Sequence, residues 1–206
     1  MTKGGARYSF ASKSKMNAAM PLPKVELTGA EAEEAIEAAW RRLERAADDP
    51  SDPMRIFTLC TVTPEGTAAG RLMLLRGADS ANKRIWCHTS KHGGKVADLR
   101  ANRSFAAVAY DPTARVQIRL TGSSAVHEVD STTVQHFEQT LLAKRSGQMP
   151  AVAVPDPVWP PAVEVLIEWA KRDSWKQFVV IELLIESVDW TQVCDTQVTH
   201  AFVTMT

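Results

Sequence analysis

The chain has 206 residues, 45% of them hydrophobic, which suffices to bury the core of one domain. Lys and Arg together number 24, and so do Asp and Glu, so the formal net charge is zero. This balance lacks the basic excess on which non-specific nucleic-acid binding depends, and we expect no nucleic-acid partner. Any anion site must therefore come from a local group of cations.

The three cysteines are odd in number and far apart, which argues against a disulfide framework and favours a cytoplasmic location. The basic N-terminus lacks the apolar stretch of a secretory signal, and no window approaches the roughly 18 apolar residues of a membrane span. We therefore expect no membrane association, an N-terminal arm over residues 1–27 and a single domain over residues 28–206.

The first predicted element is a long helix. Thr28 and Glu31 have the spacing of a capping box before an apolar stripe, and prolines follow the end of the stripe. Two strands are predicted next, over about 55–63 and 68–76, joined by the hairpin turn "PEGT". "KRIWCHTS" is a third strand, and two glycines open a short helix in "HGGKVADLRAN".

The rest of the chain continues the pattern of short strands with a few helices. "SFAAVAYD" and "ARVQIRLTGSSAVHEV" supply two or three strands, and "DSTTVQHFEQTLLAKRSG" is a capped helix. A loop with five prolines, a helix in "AVEVLIEWAKR" and strands in "KQFVVIELLIESVDW" and "VTHAFVTMT" complete the chain. This order predicts a mainly β fold, a β-barrel with helical additions.

The stretch "GRLMLLRG" has an arginine at each end of four large apolar residues, and a run of that length belongs in a core. A guanidinium is rarely buried without a partner. Arg71 and Arg76 therefore either flank a buried strand at the surface or bind an anion at its edge. A two-residue period places them on opposite faces, so one shared ligand requires a bulge, or Arg76 must leave the strand at Gly77.

The stretch "TSKHGGKVADL" is a second candidate anion site. Thr89 and Ser90 supply hydroxyls, Gly93 and Gly94 allow close approach of the backbone, and Lys95 opens a helix whose free amides suit a phosphate. The Walker pattern is not matched. The alternative is an ordinary glycine-rich start of a surface helix.

The histidines and cysteines do not indicate a metal site or a nucleophile. His88 and His92 lack a third ligand at metal-binding spacing, so we predict no metal site. Cys60 and Cys87 lie inside strands and are predicted to be core residues rather than nucleophiles. We assign no catalytic residue.

Three stretches in sequence order, "RLMLLR", "IWCHTSKHGGKVADLRANRSFAAVAY" and "RVQIRLTG", resemble the pyridoxamine 5′-phosphate oxidase family of FMN-binding split barrels. The resemblance runs from about Phe57 to Gly122, resumes faintly at "SWKQFVVIELLIESVDW", and ends in a truncated strand. It implies a mainly β split barrel with peripheral helices, FMN as cofactor, and a homodimer with FMN at its interface. It also implies oxidoreductase chemistry on a small-molecule substrate.

The resemblance implies a role for each matching position. Arg71 corresponds to a ligand of the FMN phosphate, together with Thr89 and Lys95, and Arg76 to a residue near the flavin and the substrate. Gly94 stands where the family has a further phosphate-binding arginine. The whole implied cofactor set is Arg71, Leu72, Met73, Leu74, Arg76, His88, Thr89, Gly94, Lys95, Gln117, Trp190 and His200.

The last three positions of this set would contact the ring system. Gln117 matches a strand glutamine that reaches the isoalloxazine, and Trp190 matches a C-terminal tryptophan. His200 stands where the family has a flavin-contacting arginine.

Departures from the family concern the substrate. The positions that hold the substrate phosphate fall on Gln139, Ala143 and Gly147, and a C-terminal Arg-x-His falls on Thr196 and Val198. The final W-x-x-x-x-L-x-P tail is absent. We therefore expect a substrate other than pyridoxamine phosphate.

Several alternatives stay open from the sequence. Lys144 and Arg145 could bind a substrate anion in a shifted position. The chain could instead be a non-catalytic flavin-binding protein, or a haem-binding split barrel with His88, His92 or His200 as an axial ligand. The electron donor, the electron acceptor and a deazaflavin in place of FMN are also open.

Overall fold

A computed structural model describes residues 21–136, 139 and 177–205. The strands are β1 Lys24–Glu26, β2 Ile56–Val62, β3 Ala68–Leu74, β4 Gly77–Asp79, β5 Arg84–Ser90, β6 Ser104–Asp111, β7 Val116–Glu128, β8 Phe178–Val193 and β9 Val198–Thr204. The helices are α1 Ala30–Asp48 and α2 Gly94–Ala101, with a 3₁₀ turn over Pro53–Arg55. A further helix begins at 131 and is described over 131–136.

The nine strands form one curled sheet. Its main path runs β1-β9-β8-β7-β6-β2-β3, while β5 pairs with β8, and β4 pairs with β5. The pairs are antiparallel apart from β1 with β9. The predicted mainly β fold is confirmed. In the part of the chain that the structure describes, no helix has the length and apolarity needed to cross a membrane.

A bulge interrupts β8, which pairs with β5 before the bulge and with β9 after it. Thr121 pairs with Ser187 and Gly122 with Ile185, so Glu186 is the extra residue. A Cβ on Gly122 would lie 2.0 Å from the carbonyl oxygen of Leu184, which explains the glycine. Beyond the bulge the buried face of β8 changes from odd to even positions, and the sheet bends.

The concave, inner face of the sheet carries the core. Buried apolar residues from β2, β3 and β5 to β8 face one another there, and α1 covers them with its apolar stripe. The predicted stripe is buried as expected, at Ala35, Ile36, Ala39, Trp40 and Leu43.

The opposite side of the sheet is here called the outer face. Its residues on successive strands are Leu72, Leu74, Ile56, Thr58, Cys60, Val108, Tyr110, Gln117, Arg119, Asp189, Thr191, His200 and Phe202. Several large apolar side chains are exposed there: Leu72 is 55% exposed, Phe202 54% and Tyr110 49%. Patches of this kind mark interaction surfaces in soluble proteins.

Some expectations for local structure were wrong. The N-cap of α1 is Gly29, with φ 56° and no side-chain cap, so Thr28 and Glu31 form no capping box. Cys87 is buried, but Cys60 is only half-buried because it points to the outer face.

Other expectations fall at the edges of the described chain. The expected arm over residues 1–27 ends in β1, which pairs with β9, and residues 1–20 lie outside the described residues. So do the proline-rich loop, the helix predicted in "AVEVLIEWAKR" and most of the helix that begins at 131.

Candidate cofactor site

The N-terminus of α2 forms a small group of donors, here called the α2 cradle: Thr89, Gly93, Gly94 and Lys95. The Lys95 Nζ donates a hydrogen bond to the Thr89 Oγ1 at 3.0 Å. A Cβ on Gly93 would lie 3.1 Å from that Nζ, so the glycine leaves room for the lysine to fold back. No side chain caps the helix, so the cradle lies at an uncapped helix N-terminus.

The cradle is open to solvent at Gly94. A Cβ built there meets nothing within 4 Å, and its φ is not positive. The N-terminus of the helix carries partial positive charge, to which Lys95 and the Thr89 hydroxyl add further donors. This donor set fits a phosphate group.

Arg71 lies on the inner face of β3, where it meets α2. Its Nη2 donates to the Asp98 Oδ2 at 3.0 Å, and its Nη1 donates to the Thr61 Oγ1 at 2.5 Å. The Thr61 hydroxyl in turn donates to the same Asp98 oxygen at 2.6 Å. An anion therefore lies beside Arg71 within the chain itself, and it is Asp98.

Asp98 was not predicted from the sequence, although its spacing from Lys95 in the predicted helix places the two side chains on the same side of that helix. Asp98 follows Lys95 by three residues in α2, so the two side chains lie on neighbouring positions of the helix surface. Their separation along the helix axis is about 4.5 Å. Arg71 thus reaches α2 within one turn of the cradle.

Arg76 lies between β3 and β4, outside both strands. Its amide donates to the Trp86 carbonyl oxygen at 2.9 Å, and the Trp86 ring lies over Gly77, where a Cβ would come within 1.9 Å of it. Arg76 therefore leaves the strand before Gly77, which is the departure that a site shared with Arg71 would require.

The guanidinium of Arg76 is partly buried and has no counter-ion among the described residues. Burial, and secondly the charge of Arg55, lower its pKa to about 10. The charges of Lys95 and Arg76 both act on the buried Cys87 thiol, whose pKa burial raises to about 12.

The apolar part of "RLMLLR" is split between the two faces. Met73 is buried on the inner face, whereas Leu74 is half-buried on the outer face. The expectation that all four apolar residues belong to the core was wrong for Leu72, because this side chain points to the exposed outer face.

His88 does not face the α2 cradle. It lies on the other side of β5 from Thr89, and its ring packs against those of Phe178, at 4.8 Å between centroids, and His136, at 5.4 Å. His136 comes from the helix that begins at 131, so this contact connects that helix to β5. Within the described residues no group of three or more potential metal ligands occurs.

Gln117 and His200 lie on the outer face, where Thr191 is the pairing partner of both. The His200 Nδ1 bonds to Glu26 at 2.5 Å, and its Nε2 to Asp189 at 3.0 Å. Within one chain these residues lie on the other side of the sheet from Arg71.

Trp190 lies on the inner face and is 8% exposed. Its indole N–H has no acceptor among the described residues. The structure therefore brings together Thr89, Gly94 and Lys95, with Arg71 one helical turn away, but it does not bring Gln117, Trp190 or His200 to them.

A family model described as "Pyridoxamine 5′-phosphate oxidase, FMN-binding domain" matches residues 37–128. A pyridoxine/pyridoxamine 5′-phosphate oxidase of Microcystis aeruginosa is 29% identical over 153 residues, which cover 70% of this chain and 71% of that protein. The family resemblance seen in the sequence motifs is confirmed.

Solved structures share the fold. An FMN-binding protein related to pyridoxamine 5′-phosphate oxidase, from Nostoc punctiforme, gives a TM-score of 0.53 at 18% identity and covers 87% of this chain and 100% of its own. PhzG from Burkholderia lata, in complex with tetrahydrophenazine-1-carboxylic acid, gives 0.54 at 15% identity, covering 88% and 99%. The predicted split-barrel fold class is confirmed.

Proposed function

We propose that this chain, which matches the FMN-binding domain model and shares the split-barrel fold, belongs to the pyridoxamine 5′-phosphate oxidase-like family and is an FMN-dependent oxidoreductase acting on a small-molecule substrate. The observation that carries the proposal is the donor set of the α2 cradle, which suits the phosphate of FMN. When bound, FMN supplies the redox chemistry, and the chain supplies binding, orientation and electrostatics.

The cofactor phosphate would be held by Lys95, Thr89 and the first amides of α2, with Arg71 contributing from the inner face. Hydrogen bonds from charged donors to phosphate are short and strong, and each contributes about 1.5–3 kcal/mol. The helix dipole adds a favourable interaction with a dianion. Together these groups fix one end of the cofactor.

Arg76 would act nearer to the reacting atoms. Its pKa of about 10 keeps the guanidinium protonated at neutral pH. A partly buried cation without a carboxylate partner is suited to stabilise negative charge that develops on the bound cofactor or on an anionic substrate.

We also propose a homodimer with FMN at the interface. The outer face has the exposed apolar side chains that a second copy of the chain would cover, among them Leu72, Tyr110 and Phe202. Gln117 and His200 lie on this same face, away from the cradle of their own chain. A second copy would allow them to reach a flavin bound by its partner.

The substrate of this protein would differ from pyridoxamine phosphate. Gln139, the described residue among the three helix positions in question, is helical, exposed and uncharged. Thr196 is exposed, and Val198 is half-buried in β9, so neither supplies a charged donor. A phosphate substrate would lose the cationic contacts that replace its hydration.

Among the candidate axial haem ligands, His200 is disfavoured by its surroundings. Both of its ring nitrogens are hydrogen-bonded to carboxylates, Glu26 and Asp189. To coordinate iron, this histidine would have to give up one of these bonds.

Titration of the protein with FMN and with riboflavin, followed by flavin fluorescence, tests the proposal. Lys95→Met should weaken FMN by about tenfold or more and leave riboflavin unchanged, because riboflavin has no phosphate. Arg100→Met is the matched control, since it removes a cation from the far end of α2 that pairs with Glu128. Equal binding of the two flavins by the unaltered protein would contradict the proposal.

A further inference from the structure

The contact between β3 and α2 is a buried ion pair with a bridging hydroxyl. Asp98 is 5% exposed and Thr61 is 2% exposed, while the Arg71 side chain is 22% exposed. The contacts from Arg71 and from Thr61 to the carboxylate both end on its Oδ2. A charge in this position requires a nearby charge of opposite sign.

Arg71 has more N–H donors than it uses in hydrogen bonds with the described residues. A guanidinium has five N–H groups. Arg71 uses three of them among the described residues: two on Nη1, to Thr61 and to the Leu59 carbonyl oxygen, and one on Nη2, to Asp98. The remaining two can donate hydrogen bonds to a further anion without breaking the ion pair.

We propose that Asp98 is a positioning residue of the flavin-phosphate site. Its carboxylate is the counter-ion of Arg71 in the empty protein, and the cofactor phosphate shares Arg71 with it in the loaded protein. This inference rests on the proposed function, because it requires a phosphate at the α2 cradle.

The proposal has a consequence for stability that a purely structural role lacks. Asp98→Asn keeps an oxygen that can accept the Thr61 hydrogen bond, but it removes the negative charge beside Arg71. The empty variant is then destabilised by an uncompensated cation. FMN supplies the missing negative charge through its phosphate, whereas riboflavin supplies none.

The experiment compares thermal unfolding midpoints of the unaltered protein and Asp98→Asn, each without ligand, with saturating riboflavin and with saturating FMN. We expect the variant to melt lower by on the order of 5 °C without ligand and with riboflavin, and by clearly less with FMN. A deficit that is the same under all three conditions would overturn the role of Asp98.

Asp111→Asn is the matched control. Asp111 is a second buried carboxylate, 8% exposed, and it pairs with Arg42 at 3.0 Å on another part of the sheet. Its variant should show one deficit that neither flavin alters. A deficit that FMN reduces here as well would overturn the proposal, since the effect would not belong to Asp98.

A double variant covers the case in which Asp98→Asn does not fold. Arg71→Met/Asp98→Leu removes both charges, and replacing a buried ion pair by apolar residues is often neutral for stability. We expect it to lose much of the preference for FMN over riboflavin, and a fully retained preference would overturn the inference. If FMN does not stabilise even the unaltered protein, the proposed function fails and the role of Asp98 fails with it.

Discussion

Replacement of Arg71 by alanine should affect the fold and the cofactor separately. In the fold, the change leaves the Asp98 carboxylate, 5% exposed, without its counter-ion. Removing one partner of a buried pair costs about 3–5 kcal/mol, and the partial exposure of Arg71 places the expected loss at the lower end, about 3 kcal/mol. Urea denaturation of the empty protein measures this loss.

At the cofactor, the same variant loses one charge-assisted contact to the phosphate, about 1.5–3 kcal/mol. At 1.36 kcal/mol per factor of ten, FMN affinity should fall by about 10- to 150-fold, and riboflavin affinity should not change. The assay is fluorescence titration with both flavins, carried out at a temperature where the variant is folded.

Arg42→Ala is the control for Arg71→Ala. It removes the cation of another pair with a buried carboxylate, Asp111, and should lower stability while FMN affinity stays the same. If Arg71→Ala lowers stability but leaves FMN affinity unchanged, Arg71 belongs to the fold and not to the cofactor site, and the reasoning is refuted.

Four further predictions address the rest of the site. Gly94→Arg should tighten FMN by about tenfold, because its Cβ meets open space at the phosphate end of α2; titration showing weaker binding would exclude that geometry. Phe202→Asp on the outer face should give a monomer in light scattering and lose FMN, whereas Leu22→Asp, also at an exposed apolar position, should remain a dimer. With FMN loaded, pyridoxamine phosphate should be oxidised about a thousandfold less efficiently than by an authentic oxidase, and comparable turnover in a steady-state assay would oppose this. The Cys87 thiol, with its pKa raised to about 12, binds its proton in the folded state while the unfolded state loses it from about pH 9, so it lowers the free energy of unfolding between pH 9 and 12. In Cys87→Ala that part of the pH dependence should be absent from denaturation curves.

The elements that the sequence predicted well are those in which burial follows a simple period. The predicted stripe on α1 is buried, and in "ARVQIRLTG", predicted to be a strand, the apolar residues Val116, Ile118 and Leu120 alternate with polar ones and are the buried positions of β7. The hairpin between β2 and β3 was predicted from the turn sequence "PEGT". Its glycine, Gly66, has a φ of 83°, which a glycine adopts without strain.

The features that could not be predicted from the sequence are those that depend on tertiary packing. Four successive apolar residues conceal the alternation of β3, so the sequence does not show that Leu72 points to the exposed outer face while Met73 points to the core. The ion pair of Arg71 with Asp98 joins residues 27 apart and depends on where α2 packs. Of the two alternatives for Arg71 and Arg76, the structure shows the second, since Arg76 lies outside β3 and leaves the strand before Gly77.

The candidate site was predictable in part. Thr89, Gly94 and Lys95 are close in sequence, and local chain geometry is enough to gather them at one helix end. Gln117 and His200 come from strands on the other side of the sheet, and no local pattern shows how they would meet a ligand of the cradle. For them the proposed homodimer would supply the missing information.

The central claim, that this chain binds FMN through its phosphate, is tested most directly by the cofactor that the purified protein carries. We expect a flavin absorption spectrum, and mass analysis of the released cofactor should give the mass of FMN. A Soret band, or a released flavin without a phosphate, would contradict the account.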